Sequence, residues 1–136
     1  MNCYVDSSVI LRYLLSPDRG FEQVQDFDMV GSSELLRIEC QRVLHRYRLT
    51  GMLTDPELER AVSYFLELYD GIRIFEISNS VKSRASETFP TVVGSLDAIH
   101  LSTTLLWAAR DASPCVLFTY DSQMKTCAHS LGIRTV

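Results

Sequence analysis

Long apolar runs are missing from this 136-residue sequence. No stretch approaches the roughly 18 consecutive apolar residues of a membrane-spanning helix, so no membrane segment is expected. The first residues, Met1-Asn2-Cys3-Tyr4-Val5-Asp6, have no basic region leading into an apolar one. They do not read as a signal peptide, which points to a cytoplasmic address. Cysteine is sparse: Cys3, Cys40, Cys115 and Cys127 form no C-x-x-C pair. That spacing argues against a zinc site or a redox couple and for buried reduced thiols. Positive charge is also short, since 13 Lys and Arg face 17 Asp and Glu for a formal net charge of −4. A protein that coats nucleic acid relies on many Lys and Arg contacts to phosphate, so that class is disfavoured. An enzyme that meets phosphate through cations held in an acidic pocket is not. Neither a Walker-type glycine loop nor a G-x-S-x-G elbow is present, which removes P-loop nucleotide hydrolysis and serine hydrolysis. With no internal repeat, low-complexity segment or long linker, one domain over residues 1–136 is expected.

What is present alternates short apolar runs with helical patterns. Residues 2–5 form a β-compatible run ending at Asp6, and Ser7-Ser8 can open a helix that Pro17 and Gly20 stop. A short helix around residues 21–27 and a strand over 29–32 follow. Ser33 is read as the start of a helix reaching about Thr50, with Gly51 at its C-terminal cap. Thr54-Asp55-Pro56-Glu57 carries the residues of a capping box with an early proline, ahead of a helix to Tyr69 that Gly71 ends. Residues 72–77 alternate as a strand. Ser78 or Ser80 starts a helix running toward Phe89, which Pro90 breaks, and Gly94-Ser95 introduces an apolar helix over 96–110. Residues 115–119 read as a buried strand, Asp121-Ser122 caps a last helix that Gly132 closes, and 133–136 can add a strand. Strands alternating with helices imply an α/β class with a parallel sheet covered on both faces.

In open sheets of this class, ligands bind beyond the carboxyl ends of the strands, where strand order reverses. Asp6 and Asp121 both follow an apolar strand and precede a helix. Each has a plainer reading as a helix N-cap. Glu39 lies on the same helical stripe as Leu35, Leu36 and Val43, so its carboxylate faces the core and needs an arginine partner, a raised pKa or a metal. Asp97 sits in the first turn of an apolar helix, where complementing the helix dipole is the competing explanation. Together the four acidic residues form a constellation of hard oxygen donors without a Cys or His cluster, which selects Mg²⁺ or Mn²⁺ over zinc. His45, His100 and His129 are scattered and read as structural or surface residues. Arg37, Arg42, Arg46 and Arg48 enrich the Glu39 helix in positive charge. They suit guidance of an RNA backbone, although each also fits a solvated face, and Arg42 stands three residues from Glu39, where it can pair with it. Trp107 lies within an apolar helix and reads as a core or interface group. The helix at 54–69 has a broad apolar face that suits both a core and a partner.

Four segments resemble the motifs of PIN domains, especially those of VapC-type toxins. Tyr4-Val5-Asp6-Ser7-Ser8-Val9-Ile10 is similar to the family's opening. The helix at 33–42, with Glu39 three positions before Arg42, is similar to its second acidic motif. Ser95-Leu96-Asp97-Ala98-Ile99-His100-Leu101 resembles the third and most specific motif. Phe118-Thr119-Tyr120-Asp121, with a helix on to Leu131-Gly132-Ile133, resembles the fourth. The likeness runs through the whole chain in order. It implies a three-layer α/β/α sandwich with a central parallel sheet of four to five strands in the order 3-2-1-4-5, which puts Asp6 beside Asp121. It further implies a Mg²⁺- or Mn²⁺-dependent endoribonuclease leaving a 5′-phosphate, with Asp6, Glu39 and Asp97 as the main metal-binding and catalytic set and Asp121 assisting. Ser8 and Thr119 would orient ligands, and Arg42 and Arg46 would meet RNA. A homodimer and a cognate antitoxin covering the acidic pocket are implied as partners. Two features depart from the pattern: Ser102 stands where the family often has a small apolar residue, and residues 18–28 match no motif. The competing readings are a PIN-like module that binds RNA or protein without cutting, and aspartyl phosphotransfer at Asp6. Haloacid-dehalogenase-like enzymes want a second aspartate two residues on, where this chain has Ser8.

Overall fold

The computed structural model describes residues 1–16 and 19–136. Five strands, β1 (Asn2–Val5), β2 (Met29–Ser33), β3 (Arg73–Phe75), β4 (Cys115–Phe118) and β5 (Arg134–Thr135), form one parallel sheet in the order β3-β2-β1-β4-β5. Parallel neighbours need crossover connections, and helices supply them. They are α1 (Ser7–Leu15), α2 (Leu35–Leu49), α3 (Asp55–Asp70), α4 (Asn79–Ala85), α5 (Ser95–Asp111) and α6 (Ser122–Ser130), with a 3-10 helix at Arg19–Asp26.

Alternation along the central strands sorts the helices into layers, because successive side chains leave a strand on opposite faces. Cys3 and Val5 of β1 and Phe118 of β4 pack with Val9, Ile10, Leu36, Cys40 and Phe65, placing α1, α2 and α3 on one face. Tyr4, Cys115 and Leu117 pack with Leu101, Trp107, Met124 and Cys127, placing α5 and α6 on the other. Both faces are covered, so β1 and β4 are buried along their whole length. That is why they read as unbroken apolar runs.

Most boundaries follow from the caps. Thr54 and Glu57 form the full capping box of α3, with Pro56 in its first turn. Ser78 caps α4 by accepting from Val81 N at 3.2 Å. Gly51 and Gly132 take positive φ values of 81° and 78° just past α2 and α6, as left-handed C-terminal caps do. Three expectations are corrected. Ser33 does not open α2: it completes β2 in register with Phe75, and its hydroxyl accepts from Leu35 N at 3.2 Å, so α2 starts two residues later. The strand expected over 72–77 is confined to Arg73–Phe75, an edge strand with one neighbour. Helix α4 ends at Ala85, well before Pro90, where the Ser86 hydroxyl donates to Lys82 O at 2.7 Å. The stop assigned to Pro17 lies outside the described residues. Among the described residues no helix is long and apolar enough to cross a membrane.

Candidate metal and nuclease site

Val5 and Phe118 are register partners at the carboxyl ends of β1 and β4. The chain therefore leaves the sheet side by side at Asp6 and Thr119, where strand order reverses. Asp6 is only 4 % exposed. It is an N-cap, accepting from Val9 N at 3.4 Å, but its carboxylate does more than cap. Ser8 Oγ donates to Oδ1 at 2.6 Å and Thr119 Oγ1 donates to Oδ2 at 2.5 Å. The same two hydroxyls accept backbone hydrogen bonds from the β4–α6 turn, Ser8 Oγ from Tyr120 N and Thr119 Oγ1 from Asp121 N, both at 3.0 Å. One small network thus locks the two strand ends together. Burial raises the Asp6 pKa, against the opposing pull of the Ser8 and Thr119 hydroxyls and of His100.

Asp121 caps α6, accepting from Met124 N at 2.9 Å. Asp97 lies in the first turn of α5, half-buried, with no hydrogen-bond or ion-pair partner among the described residues. Its pKa is raised by burial first, then by Asp121, with smaller contributions from Asp6 and Glu39 and an opposing one from His100. Carboxylates on α2, α5 and the ends of β1 and β4 therefore share one electrostatic neighbourhood. Glu39 lies at the margin of the buried stripe of α2, its side chain 18 % exposed. The arginine considered for it is not its partner. Glu39 Oε1 instead accepts from His100 Nε2 at 2.6 Å, and His100 Nδ1 meets Tyr4 Oη at 2.7 Å. Arg42 and Arg46 are exposed on α2. Their offsets of three and seven residues from Glu39 put them on its face of the helix.

Residues 3–129 match the family model of the PIN domain. The chain belongs to the PIN-domain family. A relative in Mycobacterium tuberculosis (strain CDC 1551 / Oshkosh), ribonuclease VapC47, is 30 % identical over 140 residues, covering 97 % of this chain and 93 % of the relative. Among solved structures, VapBC2 from Rickettsia felis bound to a promoter DNA fragment is similar at a TM-score of 0.69 and 11 % identity, covering 100 % of this chain and 98 % of that one. VapBC-1 from nontypeable Haemophilus influenzae is similar at a TM-score of 0.67 and 11 % identity, covering 100 % and 97 %. The strand order seen here is that of a PIN-like α/β fold.

The donors of this PIN domain suit a hard divalent cation in kind: all four are carboxylates, without a sulfur ligand among them. As the side chains lie, no three Asp, Glu, His or Cys residues converge closely enough to hold an ion among the described residues. Sequence reading named the four acids and took His100 for a structural or surface residue; it is 1 % exposed and joins Glu39 to the sheet, a link the sequence did not reveal. The available signal was a histidine in the middle of an otherwise apolar helix, where a buried polar ring must find partners. His45 and His129 are exposed, as expected. Trp107 is core, and Ser102 is fully buried with its hydroxyl unpartnered among the described residues. A cleft of about 530 Å³ lies elsewhere, lined by Arg73, Phe75, Trp107 and Arg110 among others and by none of the four acids.

Proposed function

We propose that this PIN domain is a Mg²⁺- or Mn²⁺-dependent endoribonuclease and the toxin of a toxin–antitoxin pair, working in the cytoplasm as a homodimer. The observation that carries the reading is the meeting of acids at the head of the sheet, where burial first, then Asp121, and to a smaller extent Asp6 and Glu39 raise the pKa of Asp97. Support comes from a 30 % identical relative named a ribonuclease and from similar structures of VapBC proteins. Asp6, Glu39 and Asp97 would hold the ion, with Asp121 assisting directly or through water. When bound, it supplies positive charge to a phosphoryl oxygen and lowers the pKa of a water. Ser8 and Thr119 hold Asp6 in one orientation through their 2.6 Å and 2.5 Å hydrogen bonds. Arg42 and Arg46 present guanidinium groups for RNA phosphates beside the acids, which an acidic protein needs locally. The antitoxin would cover the acidic edge and suppress cutting until it is removed.

The test is RNA cleavage with Mg²⁺ or Mn²⁺, with EDTA as control, alongside growth on expression. Wild type should cut and arrest growth, EDTA should abolish cutting, and Asp97→Asn should do neither. Metal-dependent cutting that survives Asp97→Asn rejects the residue assignment. Arrest by both proteins without any cleavage favours a binding module that does not cut.

A further inference from the structure

We infer that His100 is a positioning residue for Glu39: its imidazole, anchored on the Tyr4 phenol, holds the Glu39 carboxylate at the acidic edge of the sheet. The inference rests on the metal-site reading above and concerns what fixes one of its donors. Glu39 stands on α2, His100 on α5 and Tyr4 on β1, so the chain of hydrogen bonds ties both helical layers to the central strand. Its polarity is determined at one end. An ionised carboxylate only accepts, so Nε2 of His100 carries the hydrogen. In the neutral ring Nδ1 is then an acceptor, and the Tyr4 hydroxyl is its donor.

Each link is stiffer than the one it supports. Tyr4 is fully buried in β1 and His100 is 1 % exposed, with the two rings meeting edge-on at 5.7 Å between centroids and 70° between planes. Glu39, by contrast, has three rotatable bonds and a partly open position. Without the imidazole, nothing among the described residues hydrogen-bonds its carboxylate, and it would turn toward water, away from the other acids. Groups that orient metal-binding carboxylates in this way typically contribute 10–100-fold to affinity.

The test is Mn²⁺ binding to the full chain, followed by the paramagnetic resonance of the free ion, with a thermal melt on every variant. Asparagine places its amide near the Nδ1 position and glutamine near Nε2. His100→Asn should therefore keep the Tyr4 contact, lose Glu39, and weaken Mn²⁺ binding by roughly 10–100-fold. His100→Gln should restore most of that loss, and in a Glu39→Gln background His100→Asn should have no further effect. A residue that only fills the core gives another pattern: both substitutions weaken binding in step with their loss of melting temperature, in either background. That pattern overturns the proposal, as does wild-type affinity in His100→Asn. Should neither His100 variant fold, Tyr4→Phe removes only the anchoring hydroxyl, and a severalfold weaker affinity is expected. Unchanged affinity there overturns the proposal. Failure of the wild type itself to bind Mn²⁺ overturns the metal-site reading and this inference with it.

Discussion

Asp97 carries its carboxylate into a half-buried position among Asp121, Asp6 and Glu39, and burial first, then Asp121, raises its pKa above the ordinary 3.8. A carboxyl raised in the fold favours the neutral acid, so its ionisation opposes folding as pH rises through that raised value. Asp97→Asn keeps the shape, removes the charge and breaks no hydrogen bond among the described residues. In EDTA at neutral pH its melting temperature should equal or exceed that of wild type, and a lower one would show that Asp97 is paired after all. Thr119 predicts the opposite sign from the same site. It is fully buried and donates to Asp6 Oδ2 while accepting from Asp121 N. Hydrogen bonds to charged groups contribute about 1.5–3 kcal/mol, so the near-isosteric Thr119→Val should lower unfolding stability by roughly that amount in urea titrations. A loss below ~0.5 kcal/mol would mean that Asp6 finds another donor.

Packing between elements shows most sharply at Gly31, in the middle of β2. A Cβ built there would stand 2.7 Å from Cζ3 and 2.8 Å from Cη2 of Trp107, and 2.9 Å from Cε2 of Phe75. The indole cannot swing aside, being 2 % exposed and held by its Nε1 donating to Asp111 Oδ2 at 2.7 Å. Gly31→Ala should therefore destabilise the fold by about 1–3 kcal/mol through overpacking, read as a lower urea midpoint with an unchanged slope. The companion Trp107→Phe, which opens space, should soften that loss. How much of the architecture was legible follows from the same distinction between local and tertiary causes. β1 and β4 announce themselves because both faces are covered, and the α3 capping box is written in four neighbouring residues. β3 and the end of α4 were overestimated, since pairing with a single neighbour and the Ser86 hydroxyl decide where they stop. Asp6 and Asp121 were legible as strand-end acids. The partner of Glu39 was not, because His100 is 61 residues away and only the docking of α5 beside α2 brings them together.

Both faces of the sheet carry thiols, Cys3 and Cys40 under α1–α3 and Cys115 and Cys127 under α5 and α6. Burial is the first cause that pushes Cys3 up to about 12 and Cys115 up to about 11 from an ordinary 9.0, and Cys40 is raised in the same way. These groups stay protonated in the fold after the unfolded chain has begun to ionise. Their stabilising contribution is complete below about pH 9 and is lost as pH rises toward the folded values. Each thiol contributes a slope of roughly 1.4 kcal/mol per pH unit in that window, so three together approach ~4 kcal/mol per unit. Total stability for a domain of this size is about 5–15 kcal/mol, which makes alkaline unfolding within a few pH units of 9 the expected outcome. Urea midpoints should fall steadily from pH 8.5 to 10.5, and Cys3→Ala, with one titrating group fewer, should flatten the fall. Native Cys3, Cys40 and Cys115 should also react with iodoacetamide at pH 8 roughly 100-fold more slowly than in urea, because the thiolate is the nucleophile and burial suppresses it. A midpoint that does not move with pH, together with rapid labelling of the native protein, would show that the two cores open far more readily than their packing implies.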